Sequence, residues 1–377
     1  VSEDEIEGWS ARLGRGNDVA FYTFTSGTTG TPKVLAMSHA AYNDVIQRLI
    51  VDYEFSASDR IAVQSGFMFD AIWDVLTALN SGGAAVILPD VLYEDGRAWA
   101  RYLRHHRVTS LMTVPAALQY ALETMPRGQP MPPFRQVILT ADRISCYVLE
   151  LILRHLPEDI TIHNCYGVAE VPYLLTGRVD PTQPETASLF ELPDPGRVDY
   201  RLVPITEPSS AEPEPFQAGA DREENATSPI KHEFGSFLTV RGKGVFSGYV
   251  RETADGTVAR DAPFSKDGYY DTGDIFRIVP HATVPGRRAL RFVGRHDRRL
   301  TWMGHRIEPE EIETAAEAIP GVEHAVASIT TDARLVCTVY GDVNEADFVG
   351  FQPISSIPAD IILIEARSPQ LKNRKVR

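Results

Sequence analysis

Between residues 20 and 170 the chain alternates short apolar runs with longer amphipathic ones, and this constrains its fold more than any other feature. "DRIAVQS", "AAVILP", "TSLMTVP", "FRQVILTA" and "ITIHNCYG" read as strands. Helical segments lie between them. In "DAIWDVLTALNSGG", Ile72, Val75, Leu76 and Leu79 recur at i, i+3, i+4 and i+7, and Gly82 and Gly83 stop the run. "SCYVLELILRHL" is a second amphipathic helix. Strands alternating with helices predict an α/β fold, a largely parallel sheet covered by helices. Ligands of such sheets sit beyond the C-terminal ends of the strands, so the polar groups there are the ones to follow.

The first such group is "TSGTTGTPK", Thr25 to Lys33. It follows the strand-like "VAFYTF" and precedes the helical "SHAAYNDVIQRLI". Gly, Ser and Thr suit any polar turn. A strand–loop–helix unit with hydroxyls, glycines and a lysine also suits phosphate, through backbone N–H groups and the lysine cation. It does not match GxxxxGK[ST], so it is not the common P-loop.

Composition narrows the remainder. In 377 residues, 43% are hydrophobic, enough for two or three domains or subdomains with real cores. No apolar run is long enough to span a bilayer, and "VSEDEIEG" lacks a signal-peptide pattern. Cys146, Cys165 and Cys337 form no CxxC pair or disulfide framework, which predicts a reducing, cytoplasmic setting. A net charge of −14 argues against nucleic acid as a partner. From about Pro181 the pattern changes. Glu207 to Pro229 is rich in Pro and acids and reads as a mobile surface loop. "FGSFLTVRGKGVFSGYV" reads as strands with glycine turns, a β-rich subdomain. After Arg295 a small C-terminal α+β domain begins.

Four more motifs follow the first loop in a fixed order: "NCYGVAE" (Asn164 to Glu170), "YYDTGD" (Tyr269 to Asp274), "FVGRHDRRLTWMGHRIEPEEIE" (Phe292 to Glu313) and "NRKVR" (Asn373 to Arg377). Together the five resemble the acyl-adenylating, AMP-forming enzymes: acyl-CoA synthetases, luciferases and the adenylation domains of nonribosomal peptide synthetases. The resemblance covers nearly the whole chain. It implies a large core over residues 1–296, with the N-terminal part of the family domain absent, and a small lid over 297–377 hinged at Asp297. It implies ATP and Mg²⁺ as cofactors. Thr25, Ser26, Gly27, Thr28, Thr29, Gly30 and Lys33 match the loop around the β- and γ-phosphates. Tyr166 matches the aromatic that stacks on adenine, and Asn164 and Gly167 of the same motif fall among the cofactor-binding positions. Asp274 matches the ribose acceptor, suited by its two oxygens, and Arg295 a second ribose contact. Glu170 matches the Mg²⁺ carboxylate and Lys375 the catalytic lysine. Val34, Ala169, Thr301 and Arg374 depart from the family pattern.

"FMFDAIWDVLTAL" resembles the motif of amino-acid-activating members, in which Asp70 would pair with the substrate ammonium; its plainer role is to cap the helix starting at Ala71. By the same likeness Ala71, Trp73, Thr113, Leu139, Ala141, Cys165, Tyr173 and Leu174 would line the side-chain pocket. None is charged, which favours a neutral or apolar amino acid. The implied reaction is ATP-dependent formation of an aminoacyl-AMP with pyrophosphate release, then transfer to a carrier-protein thiol supplied in trans. The alternatives are a CoA or amide ligase for another carboxylic acid, and a non-catalytic nucleotide-binding homologue. The first loop starts only 25 residues in, which leaves two expectations open: the chain is a fragment of a longer one, or it is a shortened enzyme whose missing surface is supplied by a partner chain or a second copy.

Overall fold

The computed structural model describes residues 16–25, 33–64, 71–89, 92, 95–132, 134–194, 198–205, 216–217, 235–252, 258–261, 263–295, 300–302, 305–307, 309–330, 334–348, 351 and 363–367. Two units are present, one of Val1–Thr23 with Val34–His296 and one of Phe24–Lys33 with Asp297–Arg377.

In chain order the first elements are β1 (Val19–Thr25), β2 (Lys33–Ser38) and α1 (His39–Asp52). The Ser38 hydroxyl accepts from the Ala41 amide at 3.2 Å and caps α1. The expected strand–loop–helix unit is therefore corrected to strand–loop–strand–helix. "KVLAMS" pairs as a strand because its apolar side chains are buried from Leu35 to Met37. The N-terminus of α1 is satisfied by Ser38 and is not the seat of the Gly/Ser/Thr loop.

Next come β3 (Arg60–Val63), α2 (Ala71–Asn80), β4 (Ala84–Ile87), α3 (Gly96–His105), β5 (Ser110–Thr113), α4 (Pro115–Glu123), β6 (Gln136–Thr140), α5 (Cys146–His155), β7 (Thr161–Val168) and β8 (Val171–Val179). They form a six-stranded sheet in the order β4-β3-β5-β6-β7-β8. All five strand-like runs of the sequence are in it and pair in parallel. The sixth strand, β8, runs antiparallel to β7 at the sheet edge. Pro172 lacks an N–H, which an edge strand tolerates.

Strand alternation sends side chains to two cores. Ile61, Met112 and Ile138 join α1, Trp73 and residues of a second sheet. Ala62, Leu111, Val137, Leu139 and Ile162 pack under α3, α4 and α5. Helix α2 is where the sequence predicts it, but the buried face differs. Ala71, Trp73, Asp74, Thr77 and Ala78 are buried, Ile72 and Leu76 only partly, and Leu79 is 60% exposed. Two alanines and a threonine allow close approach to the core, and Trp73 supplies the bulk that the predicted stripe would have supplied.

The second sheet is antiparallel and built from β9 (Leu189–Glu191), β10 (Asp199–Pro204), β11 (Phe216–Gln217), β12 (Ser236–Arg241), β15 (Tyr270–Pro280) and β16 (Arg288–Arg295), in the order β11-β10-β12-β15-β16-β9. A third sheet has the order β1-β2-β13-β14, with β13 at Tyr249–Glu252 and β14 at Val258–Asp261. Apart from β11, the loop expected at 207–229 lies outside the described residues.

The smaller unit has a hairpin of β17 (Leu300–Trp302) and β18 (His305–Ile307), helix α6 (Pro309–Glu317), and a sheet of β19 (Val322–Ile329), β20 (Leu335–Gly341) and β21 (Leu363–Arg367). Ile307, Ile312, Ala316, Leu335, Cys337 and Val339 make its core. Among the described residues, no helix is long and apolar enough to cross a membrane.

Candidate functional site

Three side chains predicted from separate motifs meet in the large unit. Asp274 lies on β15 directly opposite Arg295 on β16. The Arg295 Nη1 donates to Asp274 Oδ1 at 2.5 Å, and its Nη2 donates to the Thr272 carbonyl at 3.1 Å. The other carboxylate oxygen, Oδ2, accepts the Tyr166 hydroxyl at 2.5 Å. The Asp274 amide donates to Thr272 Oγ1 at 3.2 Å. Asp274 is only 2% exposed, so its charge needs these donors. Burial, and next the Asp274 charge, push the Tyr166 hydroxyl well above its ordinary pKa.

The Tyr166 ring packs edge-on against Phe276 and Phe190, with centroids 5.0 and 5.9 Å away, and is tilted on Phe292 at 6.2 Å. The cluster thus puts aromatic rings beside a buried carboxylate and a guanidinium. Rings and a carboxylate are the side-chain types that can take a base and two ribose hydroxyls.

Asn164, from the same motif, points elsewhere: its Nδ2 donates to the Ala187 carbonyl at 2.6 Å. Gly167 sits at a register shift of the β7–β8 ladder. A Cβ there would lie 2.4 Å from the Tyr173 amide nitrogen, so only glycine lets the strands approach this closely.

Glu170 is fully buried and its Oε1 accepts the Tyr249 hydroxyl at 2.5 Å. Its carbonyl accepts from the Phe246 amide at 2.8 Å. A Mg²⁺ ion takes oxygen ligands and usually keeps water and phosphate around it. Glu170, enclosed and bonded to a tyrosine, does not present such a ligand in this arrangement. Among the described residues no group of three His, Cys, Asp or Glu gathers to hold a metal. The expected metal residue therefore does not fit the ion as it stands.

The predicted pocket residues divide. Trp73, Cys165, Tyr173 and Leu174 are buried in one cluster, and the Trp73 and Tyr173 rings meet edge-on at 6.2 Å. Ala71 is fully buried at the start of α2. Leu139 is not with them. It is buried in the core under α3, α4 and α5, and Thr113 is its register partner. Alternation along β6 turns its side chain to the other face of the sheet. Ala141 and Tyr173 both have left-handed backbones, at φ 68° and 50°. Residues with a Cβ seldom adopt this region, and when they do they gather at binding and catalytic sites.

Lys33 starts β2 and Thr25 ends β1. Ser26, Gly27, Thr28, Thr29, Gly30, Asp70, Asp297 and Lys375 lie outside the described residues. Sequence reasoning missed Arg48, which is 7% exposed and donates to the Tyr173 and Pro172 carbonyls at 3.0 and 3.4 Å. Its only sequence signal is an acid four residues earlier, Asp44.

The chain is similar in sequence and in fold to known proteins. Phenyloxazoline synthase MbtB of Mycolicibacterium paratuberculosis is 30% identical over 319 residues, covering 84% of this chain and 25% of that protein. Syringomycin synthase SyrB1 of Pseudomonas syringae pv. syringae is 28% identical over 337 residues, covering 87% of this chain and 50% of that one. The chain thus spans a quarter to a half of the length of these relatives. Among solved structures, IdnL1 matches with a TM-score of 0.70 at 22% identity, over 94% of this chain and 69% of that one. The Vibrio cholerae adenylation domain AlmE, in complex with glycyl-adenosine-5'-phosphate, matches with 0.69 at 18% identity, over 98% and 67%. The family model for AMP-binding enzymes matches residues 4–250. The chain belongs to the AMP-binding enzymes, the AMP-forming ligases, and has the fold of their adenylation domains.

Proposed function

We propose that this chain adenylates an amino acid with a neutral or apolar side chain and passes the acyl group to a carrier-protein thiol. The family uses ATP, and Mg²⁺ is typical of it. The observation that carries the substrate reading is the apolar, uncharged cluster of Trp73, Cys165, Tyr173 and Leu174 around a left-handed Tyr173. A charged side chain placed there would lose hydration without a partner. The carrier reading is supported by the PA1221 structures, which have adenylation and PCP domains.

In this reading the substrate carboxylate attacks the α-phosphorus of ATP. An oxygen–phosphorus bond forms as the bond to the bridging oxygen breaks, and pyrophosphate leaves with the electron pair. The Tyr166 wall receives the adenine, and Asp274 with Arg295 receives the ribose. The ribose hydroxyls must share or displace the donors already on Asp274. Asp70 pairs with the ammonium of the substrate. The small unit acts as a lid turning at Asp297 to bring Lys375 to the phosphoryl oxygens, whose developing charge a preorganised cation stabilises.

A pyrophosphate-release screen over amino acids and simple carboxylic acids tests this. Release with neutral or apolar amino acids is expected, with Asp70→Ala losing only the ammonium-bearing substrates. Lys375→Ala should slow adenylate formation by roughly 10²–10³ with binding almost unchanged. Equal release with the matching acids that lack an amino group would overturn the amino-acid reading.

A further inference from the structure

We propose that Arg48, held by Asp44, is the positioning residue that sets the shape of the acid pocket by gripping the Pro172–Tyr173 corner of β8. This rests on the reading of Tyr173 as a pocket wall.

Arg48 lies on α1 and is almost fully enclosed. A buried guanidinium must find a countercharge and acceptors. All three of its nitrogens do. Nε donates to Asp44 Oδ2 at 3.2 Å, one turn back on the same helix. Nη1 donates to the Tyr173 carbonyl at 3.0 Å and Nη2 to that of Pro172 at 3.4 Å. The helix therefore reaches across 125 residues of sequence to hold two adjacent carbonyls. A lysine could not reproduce this planar fork.

The corner needs such a grip. It is on the edge strand of its sheet, and Pro172 contributes no N–H to any ladder. The register shifts beside it at Gly167, where a bulge re-aims the chain. Tyr173 then sits at φ 50°, a conformation that persists only where the surroundings over-determine it. Arg48 supplies two bonds that depend on the direction of those carbonyls, and so on that backbone conformation. In it the Tyr173 ring turns to Trp73 and Leu174 joins the same cluster.

Gly244 adds a second, independent sign. A Cβ at that position would lie 2.5 Å from Arg48 Nη2 and 2.6 Å from Asp44 Oδ2. The backbone at 244 thus closes over the ion pair, which a side chain there would displace. Two residues later the Phe246 amide bonds to the Glu170 carbonyl, so the hairpin corner is held from this segment as well as from α1.

The test uses Arg48→Met, which keeps the aliphatic stem, with Arg48→Lys, Asp44→Asn and Gly244→Ala as milder variants and Tyr173→Ala as the pocket control. KM for the accepted acid and KM for ATP are measured by pyrophosphate release, and amide hydrogen exchange is followed over 171–174. Arg48→Met should raise the acid KM roughly tenfold or more, because a displaced pocket wall loses apolar contact with the acid, while the ATP KM stays nearly constant. Exchange should rise over 171–174 before it rises elsewhere in the sheet. Asp44→Asn, Gly244→Ala and Arg48→Lys should shift both readouts in the same direction by less. Unchanged exchange at the corner in Arg48→Met overturns the proposal, whatever the turnover. Lower stability with both KM values unchanged overturns it too, leaving Arg48 a purely structural residue. If Tyr173→Ala moves the acid KM and Arg48→Met does not, the grip is refuted and the pocket stands. If neither moves it, the pocket assignment of Tyr173 falls as well.

Discussion

Removing the carboxylate of Asp274 should cost the large unit far more than a surface ion pair would. The Arg295 side chain is 16% exposed and that of Asp274 is 2% exposed. Breaking a buried pair by deleting one partner costs about 3–5 kcal/mol. Arg295 keeps its bond to the Thr272 carbonyl, which places its share near the lower end. The Tyr166 hydroxyl also loses its acceptor, and an orphaned buried hydroxyl adds about 1–3 kcal/mol. Asp274→Ala should therefore destabilise by about 4 kcal/mol, read as a fall in the urea midpoint followed by tryptophan fluorescence, at constant slope. Adding Tyr166→Phe to Asp274→Ala removes the orphan and should recover about 1–2 kcal/mol. The double variant would then be more stable than the single one. A cost below about 1 kcal/mol for Asp274→Ala, or a Tyr166→Phe cost that simply adds to it, would refute the buried junction.

Two further outcomes follow from buried titratable groups. Burial, then Arg178 and Arg135, lower His163 to about 4, and its ring meets Tyr53 edge-on. The unfolded imidazole takes up its proton near pH 6.5 and the folded one does not until about 4. Stability should thus fall as pH drops through that window, by up to about 3 kcal/mol, and His163→Gln should remove that part of the slope in pH-dependent urea titrations. Cys146 is exposed, Cys165 and Cys337 are buried, and burial pushes the Cys337 thiol up to about 12. A thiol-reactive dye should label Cys146 quickly and the other two only on unfolding; rapid labelling of Cys337 would contradict the core of the small unit.

Much of the scaffold can be read from the sequence because burial on both faces writes parallel strands as continuous apolar runs. "IAV", "AAVI", "LM" and "VIL" carry that mark, whereas "TIHNC" of β7 alternates polar and apolar residues. The misses have physical causes too. β8 has a proline as its second residue, which weakens its strand signal. β2 is short and follows a loop whose own signal dominates. In α2 the predicted stripe is more hydrophobic than the buried one, but Trp73 outweighs it in volume and the small residues around it decide the packing. Leu139 was placed in the pocket by likeness, whereas the two-residue period of β6 sends it to the opposite core. The motifs name Tyr166, Asp274 and Arg295 one by one. Nothing local says that the first two touch, since that depends on how two sheets pack. Arg48 is harder still, because a buried cation on an amphipathic helix looks in the sequence like any exposed i, i+4 pair.

The bond between Tyr166 and Asp274 spans 108 residues, and Arg295 lies close to the end of the large unit. This separation matters during synthesis. Chain emerging from a ribosome can pair β3 to β8 and bury the core beneath α3, α4 and α5 while the later residues are still inside the exit tunnel or unmade, since those contacts are comparatively local. At that stage Tyr166 has neither a carboxylate to donate to nor the Phe276 and Phe292 rings to lean on. The junction closes only after residue 295 is free of the exit tunnel, and until then the face of the parallel sheet that will receive the second sheet is covered only in part, by α1 and α2. A nascent chain in which β8 has left the tunnel but β16 has not would have an assembled half with a partly open apolar face available to chaperones or to other nascent chains.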